Sequence, residues 1–116
     1  MPGDAALLAA ARAWGLSLAA ERRMSANTVE AYERDLRQFL AHLDARTGTP
    51  TIPAIVALKP RDVRAFMAAR RADEVGGRSL MRALAGLRSF AKHLEREGHG
   101  TVAALGAVRS PKVERR

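Results

Sequence analysis

Six apolar side chains between positions 29 and 43 constrain this chain more than any other feature. Val29, Tyr32, Leu36, Phe39, Leu40 and Leu43 recur at helical intervals, and at about 100° per residue they gather on a single stripe. A strand would need strict alternation instead, so the spacing predicts an amphipathic helix from about Asn27 to Ala45. A helix with one dry side needs neighbours to cover it. The rest of the sequence must therefore supply packing partners.

Three further helices are expected on the same grounds. Leu7, Leu8, Ala11, Trp14 and Leu18 mark a first helix from Asp4 to about Arg23. Met24 and Ser25 interrupt it. Ser25 or Asn27 can accept a hydrogen bond from an early backbone N–H of the second helix, and Asn27 with Glu30 has capping-box spacing. Pro60 suits a first helical position and Asp62 its positive end, with Val63, Phe66 and Met67 apolar, so a third helix is expected over 60–74. After Gly76-Gly77, the stripe Leu80, Leu84, Leu87, Ala91 and Leu94 predicts a fourth over 78–97, stopping at Gly98. Between the second and third helices, Gly48, Pro50 and Pro53 in TGTPTIPAIVALKP read as a loop that drops Ile52 to Leu58 onto the bundle. Only 4% of residues are aromatic, so the core must be built largely from Leu, Ala and Val. The expected fold is all-α, a small four- to five-helix bundle forming one domain over 1–108, with 109–116 as the start of a linker.

Lys and Arg outnumber Asp and Glu by 20 to 12, a net charge of +8 that favours a polyanionic partner, nucleic acid first. The terminal RSPKVERR carries +3 of this and leaves +5 on the rest. There is no cysteine, which removes disulfides and thiolate metal sites. The uncharged runs 5–11 and 14–20 are short of the roughly 20 residues a membrane span needs, and no secretory signal is evident. A cytoplasmic location is expected.

The polar sides of helices two and four are the functional candidates. Opposite its stripe, helix two carries Asn27, Ala31, Arg34, Gln38 and Ala41. Helix four carries Arg78, Arg82, Ala85, Gly86, Ser89, His93 and Arg96, flanked by Arg88 and Lys92. A mid-helix glycine such as Gly86 costs about 1 kcal/mol against alanine, which is rational where something large approaches the backbone. The wall of a DNA major groove is one such body, and a neighbouring helix is another. Arginine and lysine would meet phosphates, while Arg, Asn and Gln can pair with base edges. The same pattern also describes a solvated bundle surface, or a face that docks another helical subunit. Ser25, Asn27 and Thr28 are ordinary capping residue types, although a helix N-terminus also attracts phosphate. Trp14 and Tyr32 fall on apolar stripes and read as core. His42, His93 and His99 lack metal-site spacing, and Asp35 and Asp44 belong to no recognisable catalytic motif.

At SANTVEAYERDLRQF the sequence resembles the N-terminal, core-binding domain of tyrosine recombinases, above all the bacterial Xer site-specific recombinases of XerC type. The likeness rests on Ser25, Asn27, Thr28, Ala31-Tyr32, Asp35-Leu36 and Phe39, then Asp62-Val63-Arg64 and Phe66. It continues through Arg78-Ser79-Leu80, Leu84, Leu87-Arg88-Ser89-Phe90 and Leu94, and Pro111-Lys112 resembles the interdomain linker. Lys59 departs from a common capping Thr or Ser, and Thr101-Val102 from a frequent Asn-Pro. The resemblance implies a SAM-like bundle that forms one jaw of a clamp on a recombination half-site, with helices two and four across the major groove. Implied DNA-facing positions are Thr28, Ala31, Arg34 and Gln38, with Arg78, Ser79, Arg82 and Ser89; Ser25, Asn27 and Lys92 complete the candidate set. It further implies double-stranded DNA as partner, other protomers in a XerC/XerD-type heterotetramer, no cofactor or metal, and a role in chromosome or plasmid dimer resolution. In such recombinases a separate C-terminal domain carries the tyrosine nucleophile, so this chain is expected to bind DNA without cutting it. Arg34→Ala and Arg82→Ala are expected to weaken binding with melting unchanged.

Overall fold

A computed structural model describes residues 1–21, 24–73 and 75–109. They form six helices: α1 Ala5–Glu21, α2 Ala26–Thr47, α3 Ile52–Val56, α4 Pro60–Ala72, α5 Gly77–Arg96 and α6 Ala103–Ala107, with no strand among the described residues. The expected end of helix one at Arg23, the last residue of the expected 60–74 helix, and the linker residues 110–116 lie outside the described residues.

The start and stop signals act as local chemistry requires. Asp4 Oδ1 accepts from the Leu7 N–H at 2.9 Å at the head of α1. Ser25, rather than Asn27, caps α2: its Oγ accepts from the Thr28 N–H at 3.2 Å and shares a 2.9 Å bond with the Thr28 hydroxyl. Lys59 has no acceptor to offer α4, and Asp62 compensates by taking the Lys59 N–H at 2.8 Å. At the far end of α5, the Gly98 N–H bonds to Glu95 O and the His99 N–H to Leu94 O, with Gly98 at φ 83°. That is a Schellman ending, which glycine alone adopts without a Cβ penalty.

Two short helices complete the bundle, and the first of them corrects the expectation of a loop after α2. Thr51 caps α3 through the Ala54 N–H at 3.2 Å, and Pro53, in the first turn, forfeits an N–H that has no intrahelical partner there. The prolines thus start a turn of helix instead of forbidding one, and Ile52 and Ile55 enter the core. Past α5, α6 buries Ala104 and Leu105. Arg88 ties it down, its Nε donating to Leu105 O at 3.0 Å and its Nη2 to Val108 O.

α5 is the central element. It packs most extensively on α2 and also contacts α1, α4 and α6, so a wide arc is buried: Leu80, Ala83, Leu84, Gly86, Leu87, Phe90, His93 and Leu94. Two pairs of Trp and Phe rings meet edge to face, Trp14 on Phe90 at 5.3 Å and Phe39 on Phe66 at 5.1 Å between centroids. The α2 stripe is buried as expected at Val29, Leu36, Phe39, Leu40 and Leu43, while Tyr32 is half-buried. No helix among the described residues is long and apolar enough to cross a membrane.

Candidate nucleic-acid interface

The α2–α5 pair is fixed by two contacts one turn apart. A Cβ built on Gly86 would stand 3.3 Å from the Tyr32 ring and 3.6 Å from its Cα, so the two backbones cross there at close range. One turn away, Arg82 forks onto Asp35: Nε donates to Oδ2 at 3.0 Å and Nη2 to Oδ1 at 3.2 Å. The pairs 32 with 86 and 35 with 82 run in opposite order, so the helices are antiparallel at the crossing. That register places Gln38 toward the Ser79 end of the interface and Thr28 toward the Ser89 end.

Gly86 is therefore not on an outward face, and neither is His93, which is buried and stacked beside Phe90. Of the two explanations that a close backbone approach allowed, the neighbouring helix is the one realised. Ser89 also turns inward in part, its Oγ accepting from Trp14 Nε1 at 3.1 Å while its own O–H stays available to donate.

The remaining candidates stay accessible. Asn27, Arg34, Arg78 and Lys92 are exposed, Ala31, Gln38 and Ser79 are half-buried, and among the described residues no hydrogen bond or ion pair within the chain engages the polar ones. Ser25 is exposed with its oxygen engaged in the cap. Because Ser25 faces water, Ser25→Ala should cost about 1 kcal/mol through the lost cap alone. Thermal melting checks this, and a loss several times larger would mean that Ser25 holds more than the first turn.

Electrostatics separates the arginines. Asp35 is 2% exposed, and its hydrogen bond holds the Arg82 guanidinium above its ordinary pKa, against the opposing pull of desolvation. Arg34, Arg78 and Lys92 present cations to solvent. Asp35, which matched no catalytic motif, is thus a partner for Arg82, a pairing that the expectation of unchanged melting in Arg82→Ala did not include. A second basic surface went unnoticed in the sequence: Arg64, Arg71 and Arg109 rim a groove of about 380 Å³ between α4 and the segment after α6. His42 is no ligand. Its Nε2 is buried without a hydrogen-bond partner, burial and then Arg46 lower its pKa, and no group of metal-binding side chains exists among the described residues.

A family model described as the phage integrase N-terminal SAM-like domain matches residues 11–98, from within α1 to the end of α5. The chain belongs to the phage integrase N-terminal SAM-like family. Its relatives agree. A tyrosine recombinase XerC of Methylobacterium sp. (strain 4-46) is 74% identical over 117 residues, covering 100% of this chain and 36% of the relative. The XerC of Methylobacterium nodulans is 76% identical over 92% of this chain and 33% of its own length, and that of Rhizobium meliloti 52% over 95% and 35%. The chain thus spans about a third of the curated relatives it matches. No solved structure matches it with significance. The SAM-like region includes both halves of the α2–α5 crossing, with Asp35, Arg82, Tyr32 and Gly86 all inside the matched residues.

Proposed function

We propose that this domain, over 1–108, binds duplex DNA as the N-terminal jaw of a XerC-type tyrosine recombinase, with 109–116 beginning the linker to its catalytic part. The observation that carries the reading is the open cationic side of the α2–α5 pair. Arg34, Arg78 and Lys92 are exposed and unpaired among the described residues, and side chains short enough to let a groove wall approach stand near them along the helices, Ala31 one turn before Arg34 and Ser79 next to Arg78. Asn27, Thr28 and Gln38 add donors and acceptors, Ser25 stands at the positive end of α2, and Ser89 retains a hydroxyl proton. Strand exchange through a covalent tyrosine–phosphate intermediate belongs in this proposal to the catalytic part. Tyr32 is packed on Gly86 and is no nucleophile. The whole protein would act in the cytoplasm on chromosome or plasmid dimers, together with protomers of the XerC/XerD type.

A different surface supports contact with such protomers. The outer side of α1 is largely apolar, with Ala5, Ala9, Ala13, Leu16 and Ala20 exposed around a single cation, Arg12, and Leu16 67% accessible. Docking there is compatible with DNA on the α2–α5 side.

Titration of a labelled duplex at several salt concentrations tests the DNA reading. Affinity should fall steeply with salt, and Arg34→Ala and Arg78→Ala should each lower the slope of log affinity against log salt by about 0.9 with melting unchanged. A flat salt response, or wild-type slopes in both variants, would contradict the proposed face.

A further inference from the structure

Arg82 and Asp35 form an asymmetric pair. The carboxylate is sealed in, yet the arginine side chain is 37% exposed and reaches outward between α2 and α5. A guanidinium has five N–H donors, and the fork on Asp35 uses two of them, Nε–H and one on Nη2. The opposite edge, Nη1 with the second Nη2 hydrogen, has no acceptor among the described residues. One turn either side of Arg82 stand Arg78, Ser79, Ala85 and Gly86, three of the four small, and Ala31 and Gln38 stand one turn either side of Asp35.

A phosphate contact does not require such a clamp, since a flexible cation tolerates many orientations. A buried ion pair is also a poor means of stabilising a fold compared with apolar packing. What two parallel bonds to a fixed carboxylate do provide is a guanidinium held in one plane. That matters for bidentate recognition, where both N–H groups must meet two acceptors at once, as arginine does with guanine O6 and N7.

We infer that Arg82 is a specificity determinant, reading a guanine with its free Nη edge while Asp35 acts as the positioning residue. The inference rests on the DNA reading above and goes beyond it, because it assigns base discrimination to one side chain and assigns a buried anion the task of aiming it. The sign of one consequence is diagnostic. Asp35 places a negative charge beside the proposed DNA surface, so removing that charge should not weaken general duplex binding, yet should blunt discrimination.

The 116-residue chain selected against a random-sequence duplex pool tests this. The wild type should enrich a G·C pair. Asp35→Asn should bind the unselected pool at least as well, with preference for that pair reduced about ten-fold, and Arg82→Lys should keep its charge and salt slope while losing the same preference. Replacing the enriched guanine by 7-deazaguanine needs no variant: removal of N7 should weaken wild-type binding about ten-fold. Binding without G·C enrichment, unchanged affinity for the deaza duplex, or identical preferences in both folded variants would each overturn the inference and leave the DNA reading standing. Failure of the wild type to bind any duplex would remove both.

Discussion

Trp14→Ala should destabilise the domain by about 4 kcal/mol, within the range for deleting a large ring from a core. Trp14 is 1% exposed, meets Phe90 edge to face, and bridges α1 to α5 through its bond to Ser89. The sequence holds one Trp, one Tyr and three Phe, so no other large ring stands by to collapse into the space. At roughly 4 °C per kcal/mol for a domain of this size, melting should fall by about 16 °C. Two milder changes separate packing from polarity. Trp14→Phe keeps a ring on Phe90 and loses the N–H, while Ser89→Ala leaves Nε1 buried without its acceptor, a loss of about 1 kcal/mol. The expected order is Trp14→Ala far above the other two. Comparable losses in all three would mean that the hydrogen bond, not the ring, holds α1 in place.

What the sequence made legible was whatever lies within one turn or along one stripe. The α2 stripe and the glycine stop at position 98 are local, and both are realised in the structure, while the cap that the sequence left between Ser25 and Asn27 falls to Ser25. Pro50 and Pro53 misled because proline forbids a helix interior but favours a helix start, and Thr51 supplies the cap that decides between them. Gly86 misled because a helical wheel assumes one buried side. α5 has partners on several sides, so the buried arc spreads onto residues assigned to the wet face.

The contacts that define the candidate interface are not local at all. Ser89 meets Trp14 across 75 residues and Arg82 meets Asp35 across 47, and no periodicity or charge count reports such pairs. Arg78 and Arg82 look equivalent in sequence. One is exposed and unpaired among the described residues, and the other is clamped, a difference that only the antiparallel register of α2 against α5 creates. Family resemblance could name both positions but not distinguish their physical roles.

That distinction gives the second large effect: Arg82→Ala should lower stability by about 2 kcal/mol, where Arg34→Ala should lower it by almost nothing. Removing one partner of a fully buried ion pair costs about 3–5 kcal/mol, because the stranded charge has lost its solvent as well as its partner. Here the estimate is reduced, since Arg82 is more than a third exposed and water entering its place could reach Asp35. The penalty resides in Asp35, so the double variant Arg82→Ala with Asp35→Ala should be less damaging than the sum of the two single changes. Urea unfolding of the four proteins measures this. Strict additivity would show that the fork carries no coupling and that Asp35 is tolerated alone. The same series guards the DNA measurements: affinity lost in Arg82→Ala bears on recognition only after correction for the unfolded fraction, whereas affinity lost in Arg34→Ala or Arg78→Ala can be read directly.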